Sequence, residues 1–158
     1  MREGNMKSKV TKLFIGEYKT ALTDGHRVAI PKAYRDQFGT NSIIINRGYE
    51  GCLVVVEKDK FNALLEGVLD IPFISGDKRE TSRFLLSNAF EVSIDAQGRV
   101  IIPDSLSNYA TLSSKDVVFI GVGSWIEIWN GQTWEQYQTK LSMNSNEIAN
   151  RLLAIKQA

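Results

Sequence analysis

Apolar positions along the chain change period several times. Short runs rich in β-branched and aromatic residues cover 17–22, 27–30, 42–46, 52–57, 91–94, 99–102, 117–119 and 126–129, bounded by Gly, Asn, Asp and Pro. Such runs predict strands. The loop 47–51, Arg47-Gly48-Tyr49-Glu50-Gly51, reads as a hairpin connection. Elsewhere the period widens. Phe61, Leu64, Leu65, Val68 and Leu69 stand at i, i+3, i+4, i+7 and i+8, which predicts an amphipathic helix. Trp134, Tyr137 and Leu141 give a second stripe of the same kind. Pro31 and Pro103 each open a short helix, over 31–38 and 103–109, because proline presets φ and lacks an N–H that the first turn does not need. Gly39 stops the first of these. A polar helix is predicted over 78–88, carrying Lys78, Arg79 and Arg83. A last helix over 146–156 places Ile148, Leu152 and Ile155 on one side, to pack on the body or on a neighbouring subunit.

These elements occur twice in the same order. Thr23-Asp24-Gly25-His26-Arg27-Val28-Ala29-Ile30-Pro31 aligns with Asp95-Ala96-Gln97-Gly98-Arg99-Val100-Ile101-Ile102-Pro103, at an offset of 72. Ile43–Ile45 then aligns with Val117–Phe119 at 74, and Val54 with Glu127 and Phe61 with Trp134 at 73. Small shifts in offset are what loop insertions produce. The expected organisation is a polar leader 1–12, a first repeat 13–69, a linker and helix 70–88, a second repeat 89–142 and a C-terminal helix 143–158. A unit of ~50 residues buries too little core to stand alone. Two units in one chain can pair about an approximate twofold, exchanging short strands so that edges are covered. The expected fold is mainly β with α: a small β-barrel built jointly by both repeats, with flanking helices.

Composition narrows the function. With 43% hydrophobic and 23% charged residues the chain is globular rather than disordered. A net charge of +1 gives no general attraction for polyanions, so any such surface must come from local clustering. The single cysteine, Cys52, cannot form an internal disulfide and favours a reducing compartment. It reads as a small buried hydrophobe, and Trp125, Trp129 and Trp134 as core or interface anchors. No apolar run approaches the ~18 residues of a membrane span. One His and one Cys supply no metal-ligand set and no nucleophile-and-base pair, and no glycine-rich phosphate loop is complete, so neither an enzyme, a metal site, a cofactor nor a small-molecule substrate is expected. The leader sets Arg2, Lys7, Lys9 and Lys12 against Glu3, which is a solvated end or a DNA-seeking arm.

The paired turns, read with Gly16-Glu17-Tyr18, Arg47-Gly48-Tyr49-Glu50-Gly51-Cys52-Leu53 and Gly121-Val122-Gly123, resemble the bacterial MraZ family and, more widely, AbrB-type swapped-hairpin DNA-binding folds. The resemblance spans 13–141. It implies a double-split β-barrel, a ring-shaped homo-oligomer, and sequence-specific binding of double-stranded DNA at repeated promoter sites. It also implies regulation of the division and cell-wall gene cluster, including the family member's own promoter, in the cytoplasm at the nucleoid. An alternative on the same fold is an antitoxin-like module that grips a protein.

On this reading Arg27 and Arg99 are the leading DNA contacts, since a guanidinium offers a bidentate donor fork to phosphate or guanine. His26, Lys32 and Arg35 join them, with Thr23, Asp24, Asp95 and Gly98 shaping the turns. The family pattern has Asp four residues before each Arg. Asp95 keeps it, whereas the first repeat has Thr23 there and Asp24 one place later. Either Asp24 substitutes or the first turn is built differently. Along the chain, Arg27, Lys32 and Arg35 outnumber Asp24, whereas Arg99 is outnumbered by Asp95 and Asp104. By that grouping the first repeat faces DNA and the second is chiefly structural.

Overall fold

The computed structural model describes residues 13–23, 26–112 and 115–157. The expected leader 1–12 and Asp24 lie outside them. In chain order the elements are β1 (Glu17–Thr20), β2 (Arg27–Ala29), α1 (Lys32–Arg35), β3 (Ser42–Arg47), β4 (Leu53–Glu57), α2 (Lys58–Leu69) and α3 (Gly76–Leu86). They continue with β5 (Phe90–Ser93), β6 (Arg99–Ile101), α4 (Asp104–Tyr109), β7 (Val117–Gly121), β8 (Ile126–Asn130), α5 (Gly131–Met143) and α6 (Ser145–Gln157). Six strands form one antiparallel sheet in the order β1-β7-β8-β4-β3-β5, and β2 and β6 form a separate ribbon.

The strand order is a palindrome of the two repeats. Hairpins β3–β4 and β7–β8 pair within their own repeat; every other pairing crosses between repeats. The approximate twofold can be read from the register. Val28 faces Val100 at the centre of the ribbon, and Val54 faces Glu127 at the centre of β4–β8. Beyond the ribbon strands, Ile30 N–H donates to Gly98 C=O and Ile102 N–H to His26 C=O, both at 2.9 Å. This is the joint, split barrel that the duplication predicts.

The sheet is covered on both faces, which explains the unbroken apolar runs of β3 and β7. Ile43, Ile45, Phe119 and Ile128 turn to one side and meet Val28, Ile30, Tyr34, Val100, Ile102 and Leu106 from the ribbon, α1 and α4. Each large aliphatic or aromatic side chain buried there contributes about 1.5–3 kcal/mol. Val118, Ile120 and Trp129 turn to the other side, where Trp129 stacks on Tyr137 of α5 with ring centroids 5.1 Å apart. Caps set two helix starts: Ser75 Oγ accepts from Lys78 N–H at α3, and Asn130 Oδ1 accepts from Gln132 and Thr133 N–H at α5.

Helix α3 therefore starts at Gly76, ahead of the Lys78 expected from the charge pattern. Its basic residues do more than face water: Arg79 donates to the Phe73 and Ile74 carbonyls, and Lys78 to that of Leu69. The far end of α3 is held by Arg47. Its Nε and Nη2 donate to Phe84 C=O (3.1 and 2.8 Å), and its guanidinium carbon lies 4.4 Å from the centre of the Phe84 ring. Helix α6 differs from expectation in one respect. It forms, but none of its described residues is buried on the body: Leu152 is 66% and Ile155 73% exposed.

Candidate nucleic-acid interface

The β2–β6 ribbon is three residues long on each strand, and alternation gives it two faces. Val28 and Val100 point into the core. Arg27, Ala29, Arg99 and Ile101 point outward, with Arg27 opposite Ile101 and Ala29 opposite Arg99. The twofold relates the arginines, so one surface carries two guanidinium groups flanked by one methyl and one isoleucine.

The turns feeding the two strands share a backbone plan. Thr23 N–H donates to Arg27 C=O, and Asp95 N–H to Arg99 C=O. Position 26 and position 98 both take left-handed backbone, with φ of 59° at His26 and 79° at Gly98. The side chains differ. Asp95 Oδ1 accepts from the N–H groups of Gln97 (2.8 Å) and Arg99 (2.9 Å), and its Oδ2 accepts from Arg99 Nε at 3.2 Å. The Arg99 amide first, then the Gln97 amide and the guanidinium, hold the Asp95 carboxyl below the usual carboxylate range. Thr23 does not play this part. Its hydroxyl donates to Arg27 C=O (3.3 Å) instead of accepting from turn amides. Among the described residues, nothing holds the Arg27 side chain, which is exposed.

The antiparallel ribbon exchanges the neighbours of the two turns. Asp104, at the start of α4 in the second repeat, lies beside the first turn, with its Oδ1 3.3 Å from His26 Nε2. Arg35, in α1 of the first repeat, lies over the second turn. Its Nε donates to Ile30 C=O (2.9 Å), and a Cβ on Gly98 would overlap its guanidinium. Lys32 holds in α1 the place that Asp104 holds in α4. Charge in space is thus grouped the opposite way from charge along the chain. Arg35 stands with Arg99, and Asp104 with Arg27. The grouping that favoured the first repeat alone does not carry over to three dimensions.

Both halves of the chain match one family model, "MraZ protein, putative antitoxin-like", over residues 13–84 and 85–155. The chain belongs to the MraZ family. The transcriptional regulator MraZ of Clostridium acetobutylicum is 38% identical over 140 residues, spanning 89% of this chain and 96% of that protein. That of Heliobacterium modesticaldum is 36% identical over 141 residues, 89% and 97% of the two chains. That of Clostridium beijerinckii is 40% identical over 125 residues, 79% and 87%. Membership makes the chain a transcriptional regulator rather than an enzyme. No helix among the described residues is long and apolar enough to cross a membrane. Among the described residues, no three His, Cys, Asp or Glu side chains are grouped to hold a metal.

The other motifs that resemble the MraZ family are structural here. Cys52 is fully buried, and burial, then the charge of Glu127, pushes its thiol up to about 12. Gly48 leaves room for that sulfur: a Cβ there would lie 2.5 Å from Cys52 Sγ. Gly121 lies against the backbone of Phe14 and Ile15, and Gly123 pairs with Phe14 at a φ of 86°. Trp129 is core, and Trp125 Nε1 donates to Glu127. Sequence reasoning missed Asp104 and Ile101 as members of the ribbon surface. The alternation of Arg99, Val100 and Ile101 carried the signal for Ile101. The offset of 72 that aligns Asp104 with Lys32 carried a signal for Asp104, but grouping along the chain set it against Arg99 rather than beside the first turn.

Proposed function

We propose that this chain is a sequence-specific regulator that reads double-stranded DNA with the outward face of the β2–β6 ribbon. The observation that carries the reading is the pair of twofold-related arginines, Arg27 and Arg99, on a two-stranded ribbon. A ribbon of that width enters the major groove, where guanidinium groups donate to guanine O6 and N7. Ile101 and Ala29 beside them offer apolar contact for thymine methyl groups. Arg99 arrives pre-oriented by Asp95. Lys32 and His26 at the two ends of the ribbon contact phosphate, and Arg35 braces the second turn. The target is repeated sites upstream of the division and cell-wall gene cluster, its own promoter included, on the nucleoid. The protein works as a ring-shaped homo-oligomer. Many weak ribbons on one assembly then bind a repeated site far more tightly than one ribbon binds one site.

A gel shift tests this with DNA from upstream of the chain's own gene against scrambled DNA, across a salt series and with one, two or three repeats. A specific complex that tightens steeply with repeat number supports the reading. Equal affinity for both DNAs at every salt concentration rejects it. The antitoxin-like reading predicts instead one stoichiometric protein partner and no DNA preference.

A further inference from the structure

The twofold that relates Arg27 to Arg99 leaves the rest of the outward ribbon face unequal. Arg27 stands opposite Ile101, and Arg99 opposite Ala29. Ile101 is 53% exposed, a large apolar side chain on a face that otherwise carries two arginines and one methyl. The groups beyond the ribbon differ in the same sense. At the Ile101 end stand Arg27, His26 and Asp104, with Asp104 Oδ1 3.3 Å from His26 Nε2. At the Ala29 end stand Arg99, braced by Asp95, and Arg35, whose guanidinium lies over Gly98. Lys32 takes there the place that Asp104 takes at the other end. Among these residues one arginine faces one carboxylate at the first end, whereas two arginines and a lysine face one carboxylate at the second.

Phosphate contacts position a protein on DNA, and contacts to base edges specify the sequence. The Ala29 end carries the net charge that holds a backbone, and the Ile101 end carries none. What the Ile101 end has instead is an apolar surface, and thymine is the base that presents a methyl group in the major groove. The isoleucine side chain is short and stiff at χ1, so it reads the base beside it and no other. Two residues of strand separate the two ends by about 7 Å, or about two base-pair steps. Turning the ribbon end for end would set Ala29 against that methyl, leaving a gap, and would bring Asp104 to the phosphate that Lys32 had held.

We propose that Ile101 fixes which way round the ribbon lies on its site. It packs on the methyl of one thymine beside the guanine that Arg27 reads, while Lys32 holds the Ala29 end to phosphate. This rests on the DNA-reading face proposed above and adds to it a direction and the residue that sets it.

The experiment measures affinity for the promoter DNA of the gel shift. In one repeat, each thymine is replaced in turn by uracil, which lacks only the methyl, and each guanine by 7-deazaguanine, which lacks N7. The full chain is compared with Ile101→Ala, Arg27→Ala and Arg99→Ala. These side chains are exposed or half-exposed, and circular dichroism checks that each variant folds. One thymine is expected at which loss of the methyl weakens the full chain about fourfold, the value of one buried methyl, and leaves Ile101→Ala unchanged. Non-additivity of that kind marks a direct contact. The same thymine is expected next to the guanine whose N7 ceases to matter in Arg27→Ala, and away from the guanine that couples to Arg99. In the exchange variant, Ala29→Ile with Ile101→Ala, sensitivity to that methyl is expected to vanish, and sites selected from random DNA are expected to gain a thymine beside the Arg99 guanine. An Ile101→Ala protein as sensitive as the full chain at every thymine overturns the proposal. So does a coupled thymine beside the Arg99 guanine, or an exchange variant that keeps the original dependence. If the guanine couplings to Arg27 and Arg99 survive such a result, the ribbon still reads DNA and only the direction is wrong. Absence of every coupling, guanines included, overturns both readings.

Discussion

His26 and Gly98 hold equivalent places in the two turns, and both have left-handed backbone. Only one of them is glycine. A side chain in that region costs about 1–2 kcal/mol, which the first turn tolerates and the second does not require. Gly98→Ala adds the strain and also drives Arg35 from its place over the turn, so it should destabilise the protein by about 1–3 kcal/mol. His26→Gly relieves strain but frees the unfolded chain and loses the Asp104 contact, so its net effect should stay within about 1 kcal/mol. Urea denaturation of the two variants checks the contrast, and equal losses would contradict it.

Asp104 places a carboxylate beside the first turn, where a bound phosphate backbone would repel it. Asp104→Asn is expected to tighten DNA binding several-fold at low salt and by less at high salt. Arg27→Ala and Arg99→Ala should each weaken it, with a loss of ~1–3 kcal/mol for a base contact. Arg35→Ala should act mainly on stability. Titration of labelled promoter DNA at two salt concentrations separates these effects. An Asp104→Asn protein that binds more weakly would place the interface elsewhere.

Acid should loosen the second turn. Backbone amides and the Arg99 guanidinium depress the Asp95 carboxyl, so its contribution is complete above its unfolded value of about 3.9 and disappears as pH falls through the lower folded value. Glu91 adds to the same acid limb. The Ser42 hydroxyl, then Lys58, lowers its titration. Asp95→Asn should flatten the fall in melting temperature below about pH 4, leaving the part due to Glu91. Parallel acid limbs in the two proteins would contradict the assignment.

Arg47 ties α3 to the sheet through the Phe84 carbonyl and ring and through Ser87 Oγ. Arg47→Ala should cost about 1–3 kcal/mol and free the end of α3. Arg47→Lys should recover little, because an ammonium cannot both stack on the ring and fork to the carbonyl. Hydrogen exchange across 83–87 reads the local effect directly.

Much of the architecture was legible because duplication is visible at the level of residues. The offset of 72 shared by Arg27 and Arg99 is the same offset that relates the ends of the ribbon register. The exchange of helices between the turns was not legible. Grouping charges along the chain puts Lys32 and Arg35 with Arg27, but antiparallel pairing brings the end of each ribbon strand to the turn of the other. The α6 stripe read correctly as a helix, and the periodicity that reveals an apolar face says nothing of what covers it.

Pairing across repeats has a consequence for synthesis. β1, at Glu17–Thr20, bonds to β7, at Val117–Gly121. A ribosome adding about 5–20 residues per second leaves the first strand waiting for roughly 5–20 seconds. During that time β3 and β4 can form their hairpin, but neither ribbon strand nor sheet edge of the first repeat has its mate. A half-made chain therefore leaves the exit tunnel with open β edges. Two nascent chains on one messenger could pair first repeat with first repeat, imitating the intramolecular twofold. Spacing between ribosomes, and chaperones that cover bare strands, would govern how much of the protein matures as single chains.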